Sequence, residues 1–291
     1  IMNNVYFTPY KVSTITCNAN IGVDISINLS ILYDNIEPKN KNKEIVWIQN
    51  LKDNNEYIKG IYPKKIRKSK KNLKKKNRFD NQITIIYKID DKYMPNIKVF
   101  KNGNIQLTGI KNIKDTEIIA NKLINIINNI YNFNKQIDNN YEDNKDNFLN
   151  NLYYNNFKIR MINTDFKSYC DKNMINKFNI RRKELHNLLI SDKYNNRSSF
   201  QPGIYQGVKL EYYYNDKINN NGICLCDFHS FNKNKNMNNC KKVTIAIFES
   251  GSILITGGIT FEQVNEAYKY ITYILKENYE LIYRPELLIV S

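Results

Sequence analysis

The chain has 291 residues, a formal net charge of +16 and a pI of 9.4. Its apolar content of 42%, with 12% aromatic residues, excludes a largely disordered protein, because that much apolar surface can build a core. The sequence shows no apolar run of about 18 residues and no secretory signal, so we expect neither a transmembrane helix nor secretion.

The first half of the chain alternates strand and helix signals. Apolar runs rich in β-branched residues predict strands at 11–17, 44–49 and 82–89. Apolar residues at helical spacing predict a short helix within Asp24–Asp34. A longer helix is predicted after Asp115, which we expect to be its N-cap, because the following apolar residues recur with a period of about 3.6.

A basic block and a polar stretch interrupt this pattern. Ten of the sixteen residues in Pro63–Arg78 are Lys or Arg and none is acidic, which leaves +6 for the rest of the chain. Such a block favours an anionic partner, and nucleic acid is preferred to a membrane because no amphipathic periodicity accompanies the charge. The alternative is a solvated loop. Residues 134–151 are Asn-rich and are predicted to form a linker.

The second half repeats the order of the first. Strands are predicted at 157–162 and 208–214, a helix at 179–190, and a polar insertion at 215–241. A last helix is predicted to begin at Thr260, because Thr260 and Gln263 have the spacing of a capping box.

One short segment occurs twice. Ile97–Gly109 (IKVFKNGNIQLTG) and Ile245–Gly257 (IAIFESGSILITG) align at a constant offset of 148 residues, with six identical positions. Each copy has an apolar strand, a Gly-containing turn and a second strand that ends in Thr-Gly, which is typical of a β-hairpin. A period of about half the chain predicts one structural unit used twice.

Amphipathic helices and alternating strands predict an α+β fold, in which helices cover one face of an antiparallel sheet. In the first hairpin Val99, Ile105 and Leu107 are predicted to face the helices. The open face would carry Phe100, Gln106 and Thr108 in the first copy and Phe248, Leu254 and Thr256 in the second. Large apolar residues left in water mark a contact surface; alternatively, a partner subunit or the linker covers this face.

The second hairpin, together with Phe200–Gly207 (FQPGIYQG) before it and the helix after it, resembles the C-terminal repeat of the TATA-box-binding protein (TBP) family. The asymmetric divergence of the two halves and their insertions look most like the TBP-like factors of large DNA viruses. The resemblance implies a TBP-like saddle of two pseudo-symmetric repeats, with a curved antiparallel sheet and helices on the convex face. The repeats would span 1–133, with a basic insertion at 63–78, and 152–291, with an insertion at 215–241.

The resemblance also implies which residues contact DNA. In the family, a pair of Phe in each half inserts between base steps and kinks the duplex by roughly 80°. By motif position, these wedges correspond to Phe79 and Phe100 in the first half and to Tyr205 and Phe248 in the second. The other implied groove contacts are Gln106, Thr108, Leu254 and Thr256.

Several positions depart from the family motif. Asn104 and Ser252 replace a Lys after the hairpin Gly, Gln106 replaces an apolar groove contact, and Glu211 replaces a phosphate-contacting Arg. The loss of the Lys and Arg side chains removes phosphate contacts, which would flatten the salt dependence of binding.

The expected function is that of a transcription initiation factor that binds and bends A·T-rich double-stranded DNA. Its expected partners are a transcription factor IIB-like protein and RNA polymerase, with no membrane. We expect the protein in the nucleus or in a cytoplasmic viral factory. The virion, in which it could be packaged, is a further expected location. The alternative is a protein–protein adaptor in transcription that keeps the fold without sequence-specific DNA binding.

The polar insertion contains a candidate zinc site. Cys224, Cys226, His229 and Cys240 lie within seventeen residues and could hold a tetrahedral zinc ion. The alternative is reduced thiols in a loop, since an odd total of five cysteines indicates a reducing compartment. No other cofactor is expected. No catalytic motif is found, and His186 is predicted to be structural, so we do not expect an enzyme.

Overall fold

The computed structural model describes residues 5–38, 44–52, 55–63, 81–137, 150–217, 222–224 and 240–285. The chain forms two compact units. The N-terminal unit is Thr14–Ile159, and the C-terminal unit is Ile1–Ser13 together with Arg160–Ser291. The division at 133 and 152 stays a prediction. Within the described ranges, no helix combines the length and the apolar character needed to span a membrane.

The N-terminal unit is an antiparallel sheet with helices packed on one face. Its strands lie in the order β4-β3-β5-β6-β7-β2. The strands are β2 (Lys11–Asn20, here from Thr14), β3 (Ile45–Lys52), β4 (Asn55–Gly60), β5 (Gln82–Tyr87), β6 (Asn96–Phe100) and β7 (Asn104–Ile110). The helices are α1 (Leu29–Asn35) and α2 (Lys114–Ile137).

The C-terminal unit has the same plan, with the strand order β8-β12-β11-β10-β9. A short β1 (Tyr6–Phe7) pairs with β8 (Asn155–Tyr169, here from Arg160). The other strands are β9 (Arg197–Gln201), β10 (Tyr205–Tyr214), β11 (Lys241–Ile247) and β12 (Ser252–Gly258). The helices are α3 (Arg182–Ile190), α4 (Phe261–Glu277) and α5 (Tyr279–Ile282).

The doubled hairpin predicted from the sequence is confirmed. Ile97 lies opposite Leu107 in β6–β7, and Ile245 lies opposite Ile255 in β11–β12, so both copies have one register. The turn glycines Gly103 and Gly251 have φ of +76° and +73°, a conformation that residues with a Cβ rarely adopt. The identity of these glycines therefore follows from the turn that joins the strands.

The common register extends to the neighbouring strands. Ile97 faces Ile85, which faces Ile48, and Ile245 faces Leu210, which faces Ser198. Because Ile97 and Ile245 are repeat partners, each position of β5 has an equivalent position in β10, and each position of β3 has one in β9. These equivalences allow the two units to be compared residue by residue.

The core lies between each sheet and its helices. The helix-facing residues of the two hairpins are buried, with 0–1% of their surface exposed: Ile97, Val99, Ile105 and Leu107, and Ile245, Ile247, Ile253 and Ile255. Burial of one such side chain stabilises the fold by about 1.5–3 kcal/mol. The predicted assignment of the two hairpin faces is therefore confirmed, and so is the α+β class.

The starts of α1 and α2 differ from those predicted, whereas α4 begins after Thr260 as predicted, with the Thr260 hydroxyl accepting a hydrogen bond from the Gln263 amide. α1 begins at Leu29 because Asn28 is its N-cap, with Oδ1 accepting from the amides of Ser30 and Ile31. Asp24, the predicted start, has a φ of +53° and cannot belong to a right-handed helix. Asp115 lies inside the first turn of α2 instead of capping it, and its carboxylate accepts a hydrogen bond from the Tyr93 hydroxyl at 2.8 Å.

Besides the two-residue β1, two strands were missed by the sequence patterns. β4 (NEYIKG) and β9 (RSSFQ) lie at the edges of their sheets and contain few apolar residues. Edge strands need less apolar surface than central ones, so alternation is weak there. α2 extends to Ile137, into the predicted linker, and residues 138–149 lie outside the described part of the chain.

Candidate nucleic-acid interface

The candidate interface of each unit is the sheet face opposite its helices, called here the open face. In the N-terminal unit, most of the open-face side chains of β2, β5, β6 and β7 are Thr, Asn or Gln, which can form hydrogen bonds without carrying charge. Lys98 is the one charged residue on this face of those four described strands, counted from Thr14. The surface is therefore polar but almost neutral.

The predicted contact residues of the N-terminal unit share this face. Phe100 ends β6, is half-buried and lies opposite Gln82. Gln106 lies opposite Asn18 and donates a hydrogen bond to its Oδ1 at 3.5 Å, while Thr108 is exposed. Phe79 lies outside the described residues, so its pairing with Phe100 stays a prediction.

The C-terminal unit brings its two predicted wedge residues into contact. The rings of Tyr205 and Phe248 have centroids 5.7 Å apart and planes inclined by 59°. Gly207 lies beneath them, and a Cβ there would approach Tyr205 Cε1 to 2.9 Å and Phe248 Cε1 to 3.2 Å. The Lys209 ammonium lies 4.3 Å from the centroid of the Tyr205 ring. An aromatic pair beside a cation therefore occupies the turn end of this open face.

Arg182, at the start of α3, holds both sides of the aromatic pair. Its Nη1 donates to the Gln206 carbonyl at 2.6 Å and to Gln206 Oε1 at 2.9 Å, and its Nη2 donates to Glu249 Oε2 at 2.6 Å. Gln206 follows Tyr205 and Glu249 follows Phe248, so one guanidinium fixes the backbone next to each ring. Sequence reasoning missed this residue, because it lies on another element and no motif marks it.

Leu254 and Thr256 lie on β12 as predicted, both half-buried on the open face. Leu254 has Ala246 on one side and Asp165 on the other, and Thr256 has Thr244 and Asn163. The small Ala246 leaves Leu254 accessible. Asp165 adds a negative charge beside it, which no sequence motif indicated.

A charged network lies further along the same face. Glu211 accepts hydrogen bonds from the Lys242 ammonium at 3.0 Å and from the Tyr213 hydroxyl at 2.8 Å. Burial alone would raise the pKa of Glu211, but the hydrogen bonds from Tyr213 and Lys242 outweigh it, so the pKa is lowered. Lys242 is thus engaged within the protein, which reduces the positive charge available to a phosphate.

The candidate zinc site is only partly described. Cys226 and His229 lie outside the described residues, while Cys240 accepts a hydrogen bond from Asn215 Nδ2 at 3.4 Å. No cluster of three His, Cys, Asp or Glu residues suited to a metal occurs in the described ranges.

His186 lies on α3, where its Nδ1 is 2.9 Å from the Ser198 hydroxyl.

Three comparisons relate the chain to known proteins. A family model described as transcription factor TFIID (or TATA-binding protein, TBP) matches residues 231–278, which include the second hairpin. A protein described as TATA-box-binding protein-like, from Acanthamoeba polyphaga mimivirus, is 31% identical over 298 residues; the match covers 94% of this chain and 66% of that protein. The solved structure of Methanococcus jannaschii TBP matches with a TM-score of 0.47 and 14% identity, covering 93% of this chain and 99% of that one.

Proposed function

The chain belongs to the TATA-box-binding protein family, and from this premise we propose that it is a transcription initiation factor that binds A·T-rich promoter DNA in the minor groove and bends it. The chain spans 66% of the length of its mimivirus relative, so the proposal concerns the two units described above. As in a family of non-enzymatic DNA-binding factors, we expect no catalytic activity.

The observation that carries the proposal is the Tyr205–Phe248 pair. The two rings lie 5.7 Å apart on a face that no described helix covers. Inserted between base pairs, such rings can unstack a step and bend the duplex, and the contacts that the bend permits offset the unstacking. Arg182 and Gly207 fix the position of the two rings before DNA binds, so little conformational entropy is lost on binding.

The neutral open face of the N-terminal unit suits the minor groove of A·T pairs. That groove presents only acceptors, the adenine N3 and thymine O2 atoms. Thr108, Gln106 and Asn18 can donate hydrogen bonds to such acceptors. Because these side chains are uncharged, no charged group has to be desolvated. Discrimination between base sequences would then come mainly from how easily each sequence deforms.

We also propose the partners that the family implies. The helices, on the opposite side of each sheet, would leave their outer surfaces free for a transcription factor IIB-like protein and RNA polymerase.

We also propose a zinc site at Cys224, Cys226, His229 and Cys240, and zinc analysis of the purified protein tests it.

One observation favours the rival function, a protein–protein adaptor. Asp165 and Glu211 place two carboxylates on the open face of the C-terminal unit, where they would repel DNA phosphates. The same acids would suit a basic protein surface. The two functions differ in whether a bent duplex forms.

The test is a mobility-shift titration with an A·T-rich duplex that carries fluorophores at both ends, so that affinity and bending are read together. We expect Phe248→Ala and Phe100→Ala each to weaken binding on the order of tenfold and to reduce the bend, because stacking of one aromatic side chain on a base contributes about 1–3 kcal/mol. Phe261→Ala, on the exposed end of α4, is the control and should change neither. Unchanged binding in both open-face variants, or no binding at all, would favour the adaptor.

A further inference from the structure

Each unit has a cavity at the same place in its plan, beside the hairpin turn. In the N-terminal unit a cavity of about 460 Å³ is lined by Ser26, Ser30, Asn50, Lys52, Asn81 and Lys101. In the C-terminal unit a cavity of about 470 Å³ is lined by residues that include Arg182, Phe200, Glu249 and Arg284.

The two cavities are equivalent in detail. Lys101 and Glu249 are repeat partners, and each accepts a backbone hydrogen bond from the residue before the N-cap, Ile27 at 2.7 Å and Ile180 at 2.8 Å. The strand register pairs Ile48 with Ser198, which makes Asn50 the counterpart of Phe200. The same backbone therefore presents different side chains to the same space.

In the C-terminal unit the cavity contains its own anion. The Glu249 carboxylate accepts from Arg182 at 2.6 Å and is also paired with Arg284. Arg182 in addition lies 5.4 Å from the centroid of the Phe200 ring. The acid and the two guanidinium groups satisfy one another without an external ligand.

In the N-terminal unit the acid is replaced by a cation. Lys101 and Lys52 both line the cavity, and neither forms an ion pair or a side-chain hydrogen bond in the described part of the chain. Asn50 is only 5% exposed, and its side-chain amide likewise has no partner among the described residues. Since Asn50 lines the cavity, its amide can hydrogen-bond a group that enters there.

These side chains form a positive, hydrogen-bonding cavity. The first amides of α1 are already capped by Asn28, so the helix end supplies no anion site of its own. A second cavity shares Ser26, Asn81 and Lys101 with the first and extends to Phe100. An anion held by Lys52 and Lys101 would therefore lie next to the N-terminal wedge.

We propose that this cavity binds one backbone phosphate of the bent DNA, held by Lys52 and Lys101 and hydrogen-bonded by Asn50. The phosphate takes the place of the carboxylate that Glu249 supplies in the C-terminal unit. The site lies at the hairpin end of the sheet, where it adds positive charge to a unit whose open face is almost neutral, and it fixes the DNA next to Phe100. The assignment to DNA rests on the function proposed above.

The test uses the full chain and an A·T-rich duplex in which single phosphates are replaced, one at a time, by neutral methylphosphonates. One replacement should weaken binding about tenfold, as expected for loss of a charge-assisted hydrogen bond. The double variant Lys52→Ala/Lys101→Ala should lose this sensitivity, and its salt slope should be shallower by about 0.9. Lys92→Ala/Lys114→Ala removes the same charge from the same unit, outside both cavities, and should keep the sensitivity.

Asn50→Asp is a second variant, which places a carboxylate in the cavity at unchanged volume. It should weaken duplex binding about tenfold, through repulsion of the phosphate. Urea unfolding checks its fold; should it not fold, the two exposed lysines still provide the test. An identical methylphosphonate profile in the unsubstituted chain and in Lys52→Ala/Lys101→Ala would overturn the phosphate site and leave the DNA-binding proposal standing.

If the proposed function itself is wrong, the result differs: the unsubstituted chain does not bind the duplex. Titration with inorganic phosphate, followed through the side-chain amide signal of Asn50 by NMR, then tests the cavity alone. A saturable shift that Lys52→Ala/Lys101→Ala removes supports a phosphate site. The absence of any shift overturns it.

Discussion

The two units place different chemistry on one equivalent patch of their open faces. In the N-terminal unit Trp47, Ile86 and Met94 form an apolar cluster, and Tyr62 packs on Trp47 with ring centroids 5.0 Å apart. The equivalent residues of the C-terminal unit are Arg197, Glu211 and Lys242. Glu211 forms an ion pair with Lys242, and the Tyr213 hydroxyl accepts a hydrogen bond from Arg197 and donates one to Glu211. A repeated backbone register therefore fixes where side chains meet, but not whether burial or charge holds them together.

The largest difference should appear in stability. Ile86→Ala is expected to lower the free energy of unfolding by about 3 kcal/mol, because it leaves a cavity in a buried cluster. Glu211→Ala, at the equivalent position, should cost less than about 1 kcal/mol, since a partly exposed ion pair contributes little. Urea unfolding at constant m-value measures both. Equal losses of unfolding free energy in the two variants would show that apolar burial and the ion pair stabilise the two patches to the same extent.

The second difference concerns the hairpin turns. Arg182→Ala should destabilise the chain by about 1–3 kcal/mol, because Gln206 and Glu249 lose a part-buried donor, and it should reduce DNA bending by freeing Tyr205 and Phe248. Arg182→Lys should recover only part of the bending, since an ammonium lacks the planar fork that reaches both acceptors.

Lys101→Ala tests the turn of the first hairpin, where Lys101 is the repeat partner of Glu249. It should change the free energy of unfolding by less than about 0.5 kcal/mol, because the exposed Lys101 side chain forms no hydrogen bond or ion pair with a described residue. Bending that is unchanged in Arg182→Ala, at full DNA affinity, would contradict a positioning role for that residue.

The sequence was sufficient for those features that depend on local spacing. The constant offset predicted the two hairpins, and alternation predicted which face holds Phe100 and Phe248, because strand periodicity is a property of the backbone. The contacts of Arg182 could not be predicted, since they join three elements that are distant in the chain. The cluster of Trp47, Ile86 and Met94 was missed for a similar reason, because it depends on the register between β3 and β5. Phe79 was predicted from the family motif alone and lies outside the described residues.

The smallest expected effect is a pH dependence at the charged patch of Arg197, Glu211 and Lys242, which the equivalent apolar patch of the N-terminal unit lacks. The pKa of Glu211 is lowered from its ordinary value of 4.5, so the unfolded chain binds this proton more readily than the folded one. The stabilisation is fully present above pH 4.5 and is lost as the pH falls through the lower folded-state pKa. The stability difference between the unsubstituted chain and Glu211→Gln should therefore shrink with acidification below pH 4.5. The difference measured for Ile86→Leu should not depend on pH, because no charge occupies that position; a parallel decline in both variants would remove Glu211 as the cause.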